Sequence, residues 1–190
     1  MLKLGVSGDK GSFSEASALA YMHKNQLNAQ ILYLMDMQGV LLALAEKSID
    51  FGFFPVVNIN GGLVKEAFLA MGQYSFTFVD DFWFDVEQCL LGFAGLKTHQ
   101  IKKIVSHPQG LAQCKHYLAK HFPHIPTIAW QDTAKAAKDL AKGVLSKDSA
   151  VIAGDNAAKL YGLTVLAKAI QDKTPNLTAF ILVKDKEHAA

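Results

Sequence analysis

Ser106, His107, Gln109, Gln113 and Cys114 fall in one short stretch, behind the apolar run Ile101 to Val105 and around Pro108. A hydroxyl, an imidazole and two carboxamides so close together suit the binding and orientation of an oxyanion. Ser106 or His107 can cap a helix, and Pro108 suits the first helical position, where its missing N–H costs nothing. The helix is expected to run to about Phe122, before Pro123. Gln109 and Gln113, four apart, then share one face. Leu111, Cys114 and Leu118 lie opposite and can be buried. The unpaired N–H groups and dipole at such a helix start favour an anion. An ordinary capped helix of an α/β domain is the simpler reading of this stretch taken alone.

A second stretch of interest is Ser7-Gly8-Asp9-Lys10-Gly11-Ser12-Phe13-Ser14, between a buried strand pattern (Leu2 to Val6) and a helix pattern (Glu15 to Lys24). Its glycines let backbone N–H groups approach a ligand. It is neither a Walker A loop nor a full dinucleotide fingerprint. By itself it reads as a tight strand-to-helix turn.

The elements that must position these groups follow in order. Ile31 to Met35 reads as a strand, Gln38 to Lys47 as a helix, and Asp50 to Asn58 as a strand that ends in a loop before Gly61-Gly62. Gly61 to Gly72 is ambiguous and can be helical. Ser75 to Asp85 is an aromatic, acidic strand; Asp80 and Asp81 argue against nucleic-acid stacking, and core packing is the favoured reading. Strands are then expected at Gln88 to Gly92, Ile101 to Val105, Thr127 to Trp130 and Ala150 to Ile152. Thr133 is expected to cap a helix from Ala134 to Lys142. Asp155 to Leu163 reads as a short helix stopped by glycine. A last strand, Leu177 to Val183, is expected to return to the first lobe. Strand–helix alternation implies parallel sheet with crossover helices, and ligands beyond the carboxyl ends of the strands. The expected fold is α/β. It has two lobes of mostly parallel sheet with flanking helices, resembles type 2 periplasmic binding proteins, and has an active-site cleft between the lobes. The whole of 1–190 reads as a single domain, lobe 1 covering about 1–76 plus 166–190 and lobe 2 about 77–165.

The chain has 190 residues, 51% of them hydrophobic, and a formal charge of +2, enough for one substantial core and too little charge for a nucleic-acid footprint. No apolar run approaches membrane-spanning length, and the start does not read as a signal peptide. Two distant cysteines, Cys89 and Cys114, argue against a disulfide framework and fit a reducing cytoplasm. His116, His121 and His124 lack accompanying carboxylates or cysteines at ligand spacing and read as surface residues, so no metal is expected. All 19 basic residues are lysine. A carboxylate ligand must therefore be held without the two-pronged guanidinium clamp.

Ser106-His107-Pro108-Gln109 with Gln113-Cys114 closely resembles the central motif of prephenate dehydratases. The resemblance covers nearly the whole chain in order: the Gly8–Ser14 turn, with Asp9 where the family usually has proline; Asp50-Phe51-Gly52 with Pro55 and Asn58; Thr133-Ala134; Ala157 to Leu163; and Asn176-Leu177-Thr178-Ala179-Phe180. It implies conversion of prephenate to phenylpyruvate in phenylalanine biosynthesis, with loss of water and CO2. It implies catalytic roles for Asn58, Ser106, Gln113 and Thr178. Substrate contacts are implied at Gly11, Ser12, Phe13, His107, Gln109, Thr133 and Phe180. Because aromatisation drives the reaction, no cofactor is expected. The implied protein is a cytoplasmic homodimer whose partner is a small molecule, with no nucleic acid and no membrane. The matching segment is expected to be a stand-alone catalytic domain, without a chorismate mutase segment or a phenylalanine-binding regulatory domain.

Two departures stand out. The family's Glu-Asn-Ser is Val57-Asn58-Ile59 here, and its Thr-Arg-Phe is Thr178-Ala179-Phe180. Neighbours on a strand point to opposite faces, so Ala179 should turn away from Thr178. Val57 and Ala179 are expected to lie near each other, where the family's glutamate and arginine would form a structural pair. Two rival functions remain. Prephenate decarboxylases resemble this fold and remove CO2 with the hydroxyl retained. A non-catalytic module would bind an aromatic or keto acid.

Overall fold

Leu4 and Val6 are fully buried in β1 (Leu2–Ser7), an apolar strand that pairs in parallel with β2 (Ala29–Leu34) on one side and β3 (Phe51–Asn58) on the other. The computed structural model describes residues 1–186. α1 (Phe13–Lys24) and α2 (Met37–Ala45) make the crossovers, as parallel neighbours require. A short β4 (Gly62–Leu63) folds back on β3, and α3 (Lys65–Met71) follows. β11 (Leu177–Asp185) enters antiparallel between β3 and β5 (Phe76–Asp85). The order is β2-β1-β3-β11-β5, with β4 on β3.

Period-two alternation divides this first unit's core. Phe53, Phe180 and Leu182 pack with Leu4, Val6, Ala18 and Tyr21 on the α1 side. Phe54 and Val183 pack with Val40, Leu41, Leu44 and Ala67 on the α2–α3 side. At Gly52 an added Cβ would lie 2.7 Å from Val40 and 3.1 Å from Val183, so glycine lets α2 settle directly on β3. The aromatic strand β5 divides its side chains. Phe82 and Phe84 join the α1-side core. Phe78 and Trp83 are 56% and 48% exposed. Phe76 joins the α2–α3-side core, so the expectation of core packing holds for Phe76, Phe82 and Phe84 and fails for Phe78 and Trp83.

The second unit runs from Val86 to Asn176, and the first comprises Met1–Asp85 and the chain from Leu177. These boundaries fall later than the expected 76/77 and 165/166. β5 pairs with β11 over its full length, from Phe76↔Asp185 to Asp85↔Leu177, which holds 77–85 in the first unit. Residues 166–176 stay with the second unit because Ile170 N–H donates to Gln88 O at 2.9 Å and Asp172 N–H to Gln113 O at 2.7 Å.

The second sheet is ordered β10-β6-β9-β7-β8, formed by β6 (Cys89–Gly92), β7 (Lys103–Ser106), β8 (Thr127–Ala129), β9 (Ser149–Ala153) and β10 (Thr164–Ala167). β7 runs parallel to β8 and β9, whereas β6 is antiparallel to β9 and β10. Each sheet thus joins parallel crossover pairs to antiparallel ones. β6 and β9 are buried throughout, as strands covered on both faces are. One face carries α6 (Thr133–Ala141) and α7 (Asp155–Tyr161) over Leu91, Val105 and Val151. The other carries Cys114, Leu118 and Phe122 over Leu90, Ile104 and Ile152.

Two local expectations are corrected. The helix from Pro108 does not continue to Phe122. It breaks at Cys114 into α4 (Pro108–Gln113) and α5 (Lys115–His121). Asp172 holds the break: its N–H donates to the Gln113 carbonyl, and its carboxylate accepts from the His116 and Tyr117 N–H groups at 2.8 and 3.0 Å. Asp132, not Thr133, caps α6, its Oδ1 accepting from Lys135 N–H at 2.9 Å. β10 has no counterpart in the sequence reading, being too short to show a period.

Asp139 on α6 is buried, yet its Oδ2 accepts from Trp130 Nε1 at 2.9 Å and Lys135 Nζ at 2.7 Å. Burial pushes its carboxyl up; the two hydrogen bonds and the Lys135 and Lys138 charges outweigh this and hold it below the usual value. The folded state therefore binds its proton less readily than the unfolded chain. This contribution to stability is full above the unfolded carboxyl's value, about pH 4. It is lost as pH falls through the lower folded value. Thermal melting between about pH 5 and pH 2 should show Asp139→Asn losing less stability on acidification than wild type. Parallel curves would contradict this assignment.

Candidate active site

Asn58 ends β3 and Thr178 is the second residue of β11, and the two are direct partners across the antiparallel pair. Both are buried. Asn58 Oδ1 accepts from the N–H groups of Asn60 and Gly61 at 2.9 and 2.7 Å, an Asx turn. This fixes the amide, so Nδ2 is the end that donates to Thr178 Oγ1, at 2.9 Å. The Thr178 oxygen is thereby an acceptor, and its own proton is left to donate elsewhere.

A bulge makes this pairing possible. Phe54 and Val56 face the α2–α3 core, so a regular strand would send Asn58 to that face too. The register shifts between Ala179 and Phe180, which pair with Val57 and Pro55. The extra residue, Val56, carries Asn58 to the face of Thr178. The same register places Ala179 directly opposite Val57, as expected for a lost pair. Ala179 is buried and Val57 half-buried.

In the second unit, β7 delivers Ser106 to α4. Ser106 is fully buried and donates to Ile152 O at 2.7 Å. Its proton is committed, and what it offers is a lone pair. Gly110 packs on it: an added Cβ would lie 2.9 Å from Ser106 Oγ and 3.4 Å from Thr133 Cγ2. Ser106, Gly110 and Thr133 therefore form one cluster. Gly110→Ala would gain up to about 1 kcal/mol in helix propensity. The tethered Ser106 oxygen cannot yield, and overpacking costs about 1–3 kcal/mol. Gly110→Ala should therefore melt lower than wild type; a higher melting temperature would contradict this packing.

His107 caps α4, its Nδ1 accepting from Gln109 N–H at 3.2 Å. That N–H is no longer open to an anion, and α4 is only six residues long. The helix-start anion site is smaller than expected. Gln109 is exposed. Gln113, half-buried, turns inward: its Oε1 accepts from Gln88 Nε2 at 3.0 Å and Asn176 Nδ2 at 3.2 Å. Gln109 and Gln113 both lie within α4, four residues apart, as expected.

The loop before α1 also differs from expectation. Ser12 caps α1 by accepting Glu15 N–H at 3.2 Å, and the Gly11 N–H donates to Glu15 Oε2 at 2.6 Å. Tyr33 O–H donates to the other Glu15 oxygen. A buried side-chain carboxylate thus takes the N–H expected to meet a ligand, at φ +86° where only glycine is at ease. Phe13 is half-buried at the start of α1. Phe180, expected at the substrate, is 2% exposed and stacks on Phe53 at 5.3 Å. It is a core residue, because it lies two residues along from Thr178 on the same, now helix-covered, face.

Sequence reasoning gave no role to Gln88, Gln171 or Asn176, all buried; Gln88 and Asn176 donate to Gln113, and Gln171 accepts from the Gln88 N–H. Glutamine and asparagine carry no spacing signal; only burial marks them. His116, His121 and His124 are exposed, and no metal-binding cluster occurs among the described residues. Burial pushes the thiols of Cys89 and Cys114 up to about 11 and about 12, which makes both poor nucleophiles at neutral pH.

A family model described as prephenate dehydratase matches residues 4–188. The chain is 33% identical over 186 residues to arogenate dehydratase/prephenate dehydratase 6 of Arabidopsis thaliana, covering 96% of this chain and 43% of that protein. It spans less than half the length of the curated relatives it matches. Among solved structures, prephenate dehydratase from Arthrobacter aurescens superposes with a TM-score of 0.87 at 22% identity, over 98% of this chain and 61% of that one. A periplasmic substrate-binding protein from Coxiella burnetii superposes with a TM-score of 0.54 at 18% identity, over 97% of this chain and 85% of that one, in keeping with a fold like that of periplasmic binding proteins. By the match over 4–188, this chain belongs to the prephenate dehydratase family.

Proposed function

We propose that this chain is a carbon–oxygen lyase that converts prephenate to phenylpyruvate, water and CO2 in phenylalanine biosynthesis. The observation that carries this reading is the polarity of the Asn58–Thr178 pair. Asn58 donates to Thr178 Oγ1, so the threonine proton is the one to be given. Thr178 transfers it to the departing ring hydroxyl, which leaves as water. The bond to the ring carboxylate breaks, CO2 leaves, and that electron pair completes the aromatic ring. Solvent restores the Thr178 proton. A neutral donor poised for the leaving group acts in the transition state more than in the ground state.

Gln113, through its remaining N–H groups, and Thr133, beside Ser106, are assigned to orienting the substrate's oxygens. Ser106 acts through a lone pair or by fixing α4. His107, Gln109 and Phe13 are assigned to the periphery, and Ser12 to shaping the loop. An arginine-free site suits this chemistry, because a neutral environment does not over-stabilise the reacting carboxylate. The Arabidopsis relative's name covers both arogenate and prephenate. Our reading favours prephenate, and kcat/KM measured with both substrates tests it: a higher value with arogenate would reverse the assignment. The reading includes a cytoplasmic homodimer. Two buried free cysteines fit a reducing compartment, and sedimentation equilibrium tests the dimer.

A further inference from the structure

Three carboxamides of the second unit form a chain whose polarity is set by one backbone carbonyl. Val86 O can only accept, so the Asn176 atom 2.9 Å from it is Nδ2. The same Nδ2 lies 3.2 Å from Gln113, whose facing atom must then be Oε1. That Oε1 lies 3.0 Å from Gln88, whose facing atom must be Nε2. Gln88 is itself held by its backbone N–H, which donates to Gln171 Oε1 at 3.0 Å. Gln113 is anchored by its carbonyl, which accepts from Asp172 N–H at 2.7 Å. The far end of Gln88, Oε1, is buried with no hydrogen-bond partner. Such an orphan is costly, and flipping Gln88 to relieve it would set its oxygen against Gln113 Oε1.

We infer that Asn176 and Gln88 are positioning residues. They lock the Gln113 carboxamide with its NH2 as the group offered to the substrate, so that this end of the site selects an anionic oxygen. The inference rests on the proposed function for the identity of that oxygen, a prephenate carboxylate, but the polarity of the relay does not depend on turnover. Without guanidinium groups, such a relay gives a neutral side chain a fixed donor direction.

Gln113→Glu tests the direction. Glutamate keeps an oxygen for Gln88 and Asn176 and exchanges only the NH2 for a second acceptor. A lost hydrogen bond to a charged group corresponds to roughly ten- to a hundredfold in affinity. KM for prephenate should rise by that factor while kcat changes less. Gln88→Leu, with Gln113 intact, should raise KM by a smaller factor without lowering the melting temperature, since it also removes the orphan oxygen. A KM for folded Gln113→Glu within about twofold of wild type would overturn the inference, being below the loss expected for a charged hydrogen bond. Side-chain amide proton exchange in the unliganded protein reads the polarity directly. The NH2 protons of Asn176 and Gln88 should exchange slowly and those of Gln113 fast. The reverse order would overturn the relay, whether or not prephenate is turned over. The predicted order in a protein that leaves prephenate untouched would fault only the proposed function.

Discussion

Replacing Thr178 with alanine should lower kcat for prephenate by about a hundredfold to ten-thousandfold, the usual range for general acid catalysis, with KM nearly unchanged. The reason is geometric. Thr178 Oγ1 accepts from Asn58 Nδ2 at 2.9 Å, and the Asn58 amide cannot turn because two backbone N–H groups hold its oxygen at 2.9 and 2.7 Å. The alanine variant removes the hydroxyl proton that the bond from Asn58 does not use. Thr178→Ser should retain part of the activity, since its hydroxyl can accept from the same Nδ2. Stopped assays over a range of prephenate concentrations separate kcat from KM. A tenfold rise in KM with kcat intact would make Thr178 a binding contact only.

Placing a single charge at half-buried Val57 should destabilise the fold, and at buried Ala179 it should do so by about 3 kcal/mol, as an uncompensated buried charge does. In a domain of this size that is roughly 6–12 °C in melting temperature. Ala179 is 4% exposed and sits between Val57 and Trp83 across the strands. Val57 has Ala179 on one side and Leu63 on the other. Neither Val57→Glu nor Ala179→Arg finds a partner among them. Made together, the two substitutions meet in register, and the double variant should be more stable than the sum of the singles by about 0.5–3 kcal/mol. Strictly additive losses would show that the two positions do not couple. That pairing explains how both charges of the family's motifs can be absent here: the loss of either is tolerable only if the other is lost with it.

The sequence made the larger elements legible, and for definite reasons. Leu2 to Val6, apolar but for Lys3, and Ala150 to Ile152 are runs of strand length. Pro108 and Gly162 mark a helix start and a helix stop, Gly162 adopting φ +68°. The nearness of Val57 and Ala179 is legible because the resemblance names both departures and strand alternation separates Thr178 from Ala179. Most of the features that escaped depend on contacts distant in the chain. Asp172 lies far from the helix break it holds, and nothing near Cys114 announces that break. Glu15 turns back on Gly11, so a loop that reads as a ligand cradle is filled by its own carboxylate. The bulge at Val56 leaves no mark in composition, yet it decides which face Asn58 occupies. The amides around Gln113 look like ordinary polar residues until burial singles them out.

The most direct test of the central claim is the product formed when purified protein is incubated with prephenate at neutral pH. The proposed function predicts phenylpyruvate, detected as its enolate absorbance in alkali, at a rate that collapses in Thr178→Ala. A non-aromatic keto acid that has lost CO2 but kept its hydroxyl would contradict it and identify a decarboxylase; prephenate bound but recovered unchanged would contradict it and identify a binding module.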